Sequence, residues 1–126
     1  MLPFEMAYDI LTGKKLFECF GNENPVRRCY EVYCGGPRSS WDPCTVLFSV
    51  MPQLPCWSLS ERGDLSIDAA NITNFTENIN GKTRIVSAND KQYIGDVIEK
   101  LFALKPEFVE NSYSEKIFRE EALNEC

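Results

Sequence analysis

Apolar and polar positions follow three rhythms along this chain. Residues 4–50 carry the spacing of helices separated by short breaks, 55–87 that of short strands and turns, and 88–126 that of helices again. Phe4-Glu5-Met6-Ala7-Tyr8-Asp9-Ile10-Leu11 predicts two helical turns, with Gly13 placed to end them because glycine tolerates the left-handed conformation of a C-terminal cap. Lys14 to Phe20 is a further short amphipathic stretch. Asn24-Pro25 predicts a helix start, since Asn caps and Pro suits the first helical position; the helix runs to about Tyr33 and stops at Gly35-Gly36-Pro37. Ser40-Trp41-Asp42-Pro43 reads as a second start, with Asp42 as cap and Pro43 at the first position. The following Cys44-Thr45-Val46-Leu47-Phe48-Ser49-Val50 is apolar nearly all round and predicts a buried helix.

In the middle of the chain, Glu61-Arg62-Gly63-Asp64 reads as a turn after Cys56-Trp57-Ser58-Leu59-Ser60. Leu65-Ser66-Ile67-Asp68 and Asn71-Ile72-Thr73-Asn74-Phe75-Thr76 alternate with the period of a half-buried strand. Asn80-Gly81 is a turn signal, and Thr83-Arg84-Ile85-Val86-Ser87 a third short strand. Together they predict a small antiparallel hairpin or meander. The clearest helix follows, capped by Asn89 or Asp90, with Tyr93, Ile94, Val97, Ile98, Leu101 and Phe102 on one core-facing stripe. A more polar helix is expected from about Ser112 to Leu123.

Composition narrows the function classes. The length of 126 residues allows one domain, so residues 1–126 are read as a single region. Net charge is −6 and the 13 Lys and Arg residues are scattered, so no cationic face is offered to phosphates and no nucleic-acid partner is expected. No stretch approaches the ~20 apolar residues of a membrane span. His is absent, which removes His-dependent triads, His general acids and His-bearing zinc sites. The six cysteines (Cys19, Cys29, Cys34, Cys44, Cys56 and Cys126) form no C-x-x-C pair. The N-terminus lacks the pattern of a secretory signal, and the compartment is left open. Free buried thiols and disulfides both stay open, with Cys29 and Cys34 the first candidates for a bridge.

Candidate chemistry is sparse. Asp42 stands beside Trp41 at a helix start, where a carboxylate serves as a cap and has a second oxygen free for a hard cation such as Ca²⁺. Arg27 and Arg28 follow a helix start and suit an anion, although adjacent arginines on a helix are usually solvated or paired. Glu5 and Asp9 share a face at i, i+4; paired carboxylates can do acid/base work, but two exposed acids is the plainer reading. Asn71-Ile72-Thr73 and Asn74-Phe75-Thr76 match the N-glycosylation pattern, which matters only in a secreted protein. Gly35-Gly36 is too short for a phosphate loop.

Several segments, in order, resemble one family. They are Phe4-Glu5-Met6, Ile10-Leu11-Thr12-Gly13-Lys14, Asn24-Pro25-Val26-Arg27-Arg28, Tyr30-Glu31-Val32-Tyr33, Ser40-Trp41-Asp42-Pro43 and Thr45-Val46-Leu47-Phe48. Leu59-Ser60, Gly63-Asp64-Leu65, Ile67-Asp68 and Val97-Ile98 follow. This run is similar to the C-terminal portion of the inosine/uridine-preferring nucleoside hydrolases, of the type with Ser-Trp-Asp near the end. The resemblance implies an α/β fold, of which this region supplies helices flanking a small antiparallel strand region. It implies hydrolysis of the N-glycosidic bond of ribonucleosides, with an aspartate-bound Ca²⁺ holding the attacking water and the ribose hydroxyls.

Carried over residue by residue, the resemblance assigns Asp42 to the Ca²⁺ shell and Trp41 to substrate binding. Trp41 stands where relatives place a His that protonates the leaving base; Trp has no such proton and can instead stack on the base. The family's N-terminal cluster begins Asp-x-Asp and supplies most of the metal ligands and the general base; this sequence contains no Asp-x-Asp. The region alone is therefore expected to be incomplete for catalysis and no catalytic residue is assigned. Homo-oligomerisation is open, and poor solubility is expected from the apolar Val46-Leu47-Phe48 stretch. The alternatives are a non-catalytic relative acting as a binding module, and a small disulfide-stapled secreted protein.

Overall fold

Two capping side chains open two of the longer helices. A computed structural model describes residues 1–104. In helix α3 (Pro25–Cys34), Asn24 Oδ1 accepts from the Arg27 N–H at 3.0 Å and Pro25 occupies the first position, as the sequence predicts. Gly35, at φ 70°, closes it, its N–H donating to Tyr30 and Glu31 carbonyls. In α5 (Lys91–Ala103), Asp90 Oδ1 accepts from the Tyr93 N–H at 2.9 Å. The predicted stripe is the core face of α5: Ile94, Val97 and Ile98 are buried, and Tyr93, Leu101 and Phe102 pack beside them.

The described residues form a mixed α/β structure of five helices and three two-stranded antiparallel sheets. The remaining helices are α1 (Phe4–Ala7), α2 (Lys14–Cys19) and α4 (Trp41–Val50). Strand β1 (Leu11–Thr12) pairs with β2 (Arg38–Ser39), β3 (Trp57–Leu59) with β6 (Val86–Ala88), and β4 (Gly63–Ile67) with β5 (Thr73–Glu77). One core joins Met6 and Ala7 of α1, Cys44 and Leu47 of α4, Trp57 of β3, Val86 of β6 and the α5 stripe.

The structure differs from the sequence expectations at several points. The helix expected over Phe4–Leu11 stops at Ala7. Ile10 is drawn into the core, its carbonyl accepts from the Ser40 N–H at 2.9 Å, and Leu11–Thr12 becomes a strand edge against Arg38–Ser39. Gly13, at φ 112°, therefore precedes α2 instead of ending α1. Helix α4 begins at Trp41, because the Ser40 carbonyl already accepts from the Cys44 N–H at 2.9 Å. Ser40, not Asp42, is the N-cap, and Pro43 sits inside the first turn, where its missing N–H costs no bond. Helix α4 is also not buried all round: Val46 and Val50 are 62% and 65% exposed.

The middle segments do not make one meander. The β4–β5 hairpin is a unit of its own, and β6 passes back to pair with β3, bringing Trp57 opposite Ala88. The expected turn at Gly63-Asp64 is the start of β4. Gly63 also exchanges hydrogen bonds with Thr83, and Gly81 lies so close to it that a Cβ at Gly81 would strike the Gly63 backbone. The helix expected from Ser112 to Leu123 lies outside the described residues.

Candidate functional site

The first turn of α4 is anchored from beneath. Thr12 Oγ1 and Ser40 Oγ lie 2.5 Å apart, and both side chains are fully buried. A buried hydroxyl costs free energy unless paired, and each satisfies the other. Ser39 Oγ donates to the Tyr8 carbonyl at 2.5 Å, so β2 is tied to the end of α1 as well as to β1. These contacts fix where the chain enters α4 and therefore where Trp41 and Asp42 stand.

Trp41 is half-buried in an aromatic group. The Phe4 ring stacks on it at 4.6 Å and 17° between planes, and Tyr8 is tilted against it at 6.3 Å. The Arg38 guanidinium lies 5.7 Å from the indole centroid, within range of a cation–π contact. The indole N–H is buried and has no hydrogen-bond partner among the described residues. Phe4 and Tyr8 are themselves 58% and 62% exposed, so the group forms an aromatic platform at the surface.

Asp42 is exposed, and its carboxylate has no hydrogen-bond or ion-pair partner among the described residues. Its place in the first turn of α4 suits a negative charge, which the helix N-terminus favours. Among the described residues no group of three or more Asp, Glu, Cys or His side chains is placed to hold a metal ion. Ca²⁺ takes about 6–8 oxygen ligands, so these residues alone do not fit a Ca²⁺ centre.

The other sequence candidates are absorbed by structure. Arg28 bonds Glu31 at 2.7 Å, while Arg27 pairs with Glu31 at 3.6 Å, bonds Asn22 and covers the Phe17 ring. Glu5 and Asp9 do not share a helix, since α1 ends at Ala7. Asp9 pairs with Lys91 at 2.5 Å, which holds its carboxyl below the ordinary range. Cys29 and Cys34 are free thiols, not a bridge, because five residues apart on one rigid helix they point to different faces; Cys44 and Cys56 are free and buried. Burial, with a smaller effect of Cys56, pushes the Cys44 thiol up to about 12, so it stays protonated and inert. Cys19 is disulfide-bonded.

One arrangement has no local sequence signal. Glu99, on α5, accepts from the backbone N–H groups of Gly13, Lys14 and Lys15 at 2.7, 2.8 and 2.9 Å. A distant carboxylate thus serves the N-terminus of α2, where Gly13 has no capping side chain. An open cleft of about 810 Å³ lies beside it, where Lys15, Lys91 and Lys100 face Asp9, Asp96 and Glu99. Its charges are of both signs, and neither Trp41 nor Asp42 lines it. No helix among the described residues is long and apolar enough to cross a membrane. Compared with family models, characterised proteins and solved structures, the chain matches none.

Proposed function

We propose that this chain is a nucleoside hydrolase-like region, the C-terminal part of such an α/β fold. In this reading Trp41, with the exposed Phe4 and Tyr8 rings packed against it, forms the aromatic surface for the base of a ribonucleoside, and Asp42 gives one oxygen to a Ca²⁺ ion. The observation that carries the reading is the pairing at the first turn of α4: an aromatic platform of Phe4, Tyr8 and Trp41 beside an exposed, unpartnered carboxylate. A flat π-face suits a nucleobase, and a free carboxylate suits a hard cation. The resemblance through Ser40-Trp41-Asp42-Pro43 names the substrate class. In relatives of this type the ion would polarise a water and the ribose hydroxyls; among the described residues only Asp42 is assigned to hold it. The remaining ligands and the general base must come from carboxylates beyond those described here.

Two consequences can be measured. The 126-residue chain alone releases no ribose from inosine or uridine with Ca²⁺ present. A longer natural product carrying an Asp-x-Asp cluster upstream does so, and stops on chelation. Ca²⁺-independent release, or none from the longer product, removes the reading.

A second reading is favoured by the exposed apolar side chains. Val46 and Val50 on α4 and Val32 and Tyr33 on α3 face outward, and among the described residues every sheet has only two strands. Such surfaces suit packing against further protein, as in a non-catalytic binding module. A stable complex of the chain with a partner, without nucleoside hydrolysis by any longer product, would establish it. A scaffold stapled throughout by disulfides is not supported, since Cys29, Cys34, Cys44 and Cys56 are free.

A further inference from the structure

We infer that Asn71, at the tip of the β4–β5 hairpin, is an acceptor for N-linked glycan, and that the neighbouring Asn74 is not. Both asparagines begin an Asn-x-Thr pattern, Asn71-Ile72-Thr73 and Asn74-Phe75-Thr76, so pattern alone does not separate them. The structure does. Asn71 lies in the turn between the strands, exposed, at φ 63°. Asn is among the residues that most readily adopt this left-handed conformation. Its carboxamide has no hydrogen-bond partner among the described residues. Thr73, which completes the pattern, is exposed at the first position of β5.

Asn74 is engaged. Its Nδ2 donates to Asp68 Oδ2 and to the Ile72 carbonyl, both at 3.2 Å. Asp68 Oδ1 in turn accepts from the Ala70 and Ile72 N–H groups at 2.9 and 3.0 Å, so the same carboxylate shapes the turn and holds Asn74. A glycan on Asn74 would replace one of the two Nδ2 hydrogens and break this set; a glycan on Asn71 breaks nothing. The hairpin is contiguous in the chain, with Gly63 opposite Glu77. Hairpins form in about 1–10 μs, far faster than a ribosome adds residues at about 5–20 per second. In the formed hairpin Asn71 is presented free at the turn, while Asn74 is held by Asp68.

The co-substrate is a lipid-linked oligosaccharide pyrophosphate. A bond forms between Asn71 Nδ2 and C1 of the first sugar. The C1–O bond to the pyrophosphate breaks, Nδ2 gives up one proton, and the lipid pyrophosphate leaves. The attached glycan would stand over Ile67 and Ile72, which are 70% and 58% exposed at the same end of the hairpin.

The test is expression of the full chain behind a cleavable secretion leader in eukaryotic cells. N-glycosidase digestion in ¹⁸O-water and peptide mapping then marks each occupied asparagine as ¹⁸O-labelled aspartate. The expected result is label at position 71 alone, lost in Asn71→Gln and Thr73→Ala and kept in Thr76→Ala. Label at Asn74, at both sites, or at neither overturns the inference.

Discussion

Thr12 and Ser40 show how much one pair of hydroxyls can decide. They are the only buried polar side chains among the described residues, and they bond each other. Thr12→Val keeps the shape but leaves Ser40 Oγ buried without its partner, so stability should fall by about 1–3 kcal/mol. The double variant Thr12→Val/Ser40→Ala should recover part of that loss, since Ser40 no longer leaves a buried hydroxyl without its partner. Urea unfolding of the four species tests this; purely additive losses would show that the pair is not coupled. At this scale the sequence was readable in part. The Trp41-Asp42 adjacency is visible in the chain, but Phe4, Tyr8 and Arg38, which build the platform around Trp41, are brought there only by the fold.

Elements were legible where their determinants are local. Asn24-Pro25 and Asp90 sit next to the helices they start, so α3 and α5 could be read from neighbouring residues. Strands β1 and β2 could not, because two-residue strands have no periodicity and exist only through pairing across the chain. Helix α2 depends on Glu99, 86 positions from Gly13. Glu99→Ala should therefore loosen α2 specifically, costing about 1.5–3 kcal/mol, the range for hydrogen bonds to a charged group. Amide exchange should accelerate at Lys14 and Lys15 while α3 is unchanged; equal effects on both helices would contradict the assignment.

The β4–β5 hairpin carries a pH prediction at the same scale. Backbone N–H donation from Ile72, then the Asn74 side chain, holds the Asp68 carboxyl below its ordinary value of 3.8. A carboxyl lowered on folding stabilises the folded form above its unfolded pKa. That contribution is lost as pH falls through the lower folded value. The turn amides of Ala70 and Ile72 should thus titrate with a midpoint below pH 3.8. Titration of these amides at or above the ordinary value would contradict the geometry.

The whole molecule combines one core with a surface that is apolar in places. The core gathers α1, α4, α5, β3 and β6, and the first turn of α4, with Trp41 and Asp42, is at its edge. The mixed α/β class was legible because helical and alternating patterns occupy separate stretches. The exposure of α4 was not, since most of its residues are apolar and only the position of its neighbours decides which face is covered. With Val46 and Val50 outward, the isolated chain should associate with rising concentration in size-exclusion chromatography; a monodisperse monomer throughout would contradict this.

The proposed role of Asp42 is that of one Ca²⁺ ligand in a ribonucleoside-hydrolysing fold. Its most direct test is ribose release from inosine and uridine by the protein purified from its natural source, compared with the same protein carrying Asp42→Asn. The expected result is Ca²⁺-dependent release that falls at least about 10–100-fold in the variant, the loss that removing even an outer-shell partner of a metal ligand causes. Release that is unchanged by the substitution, or absent from the natural protein with Ca²⁺ supplied, would contradict it.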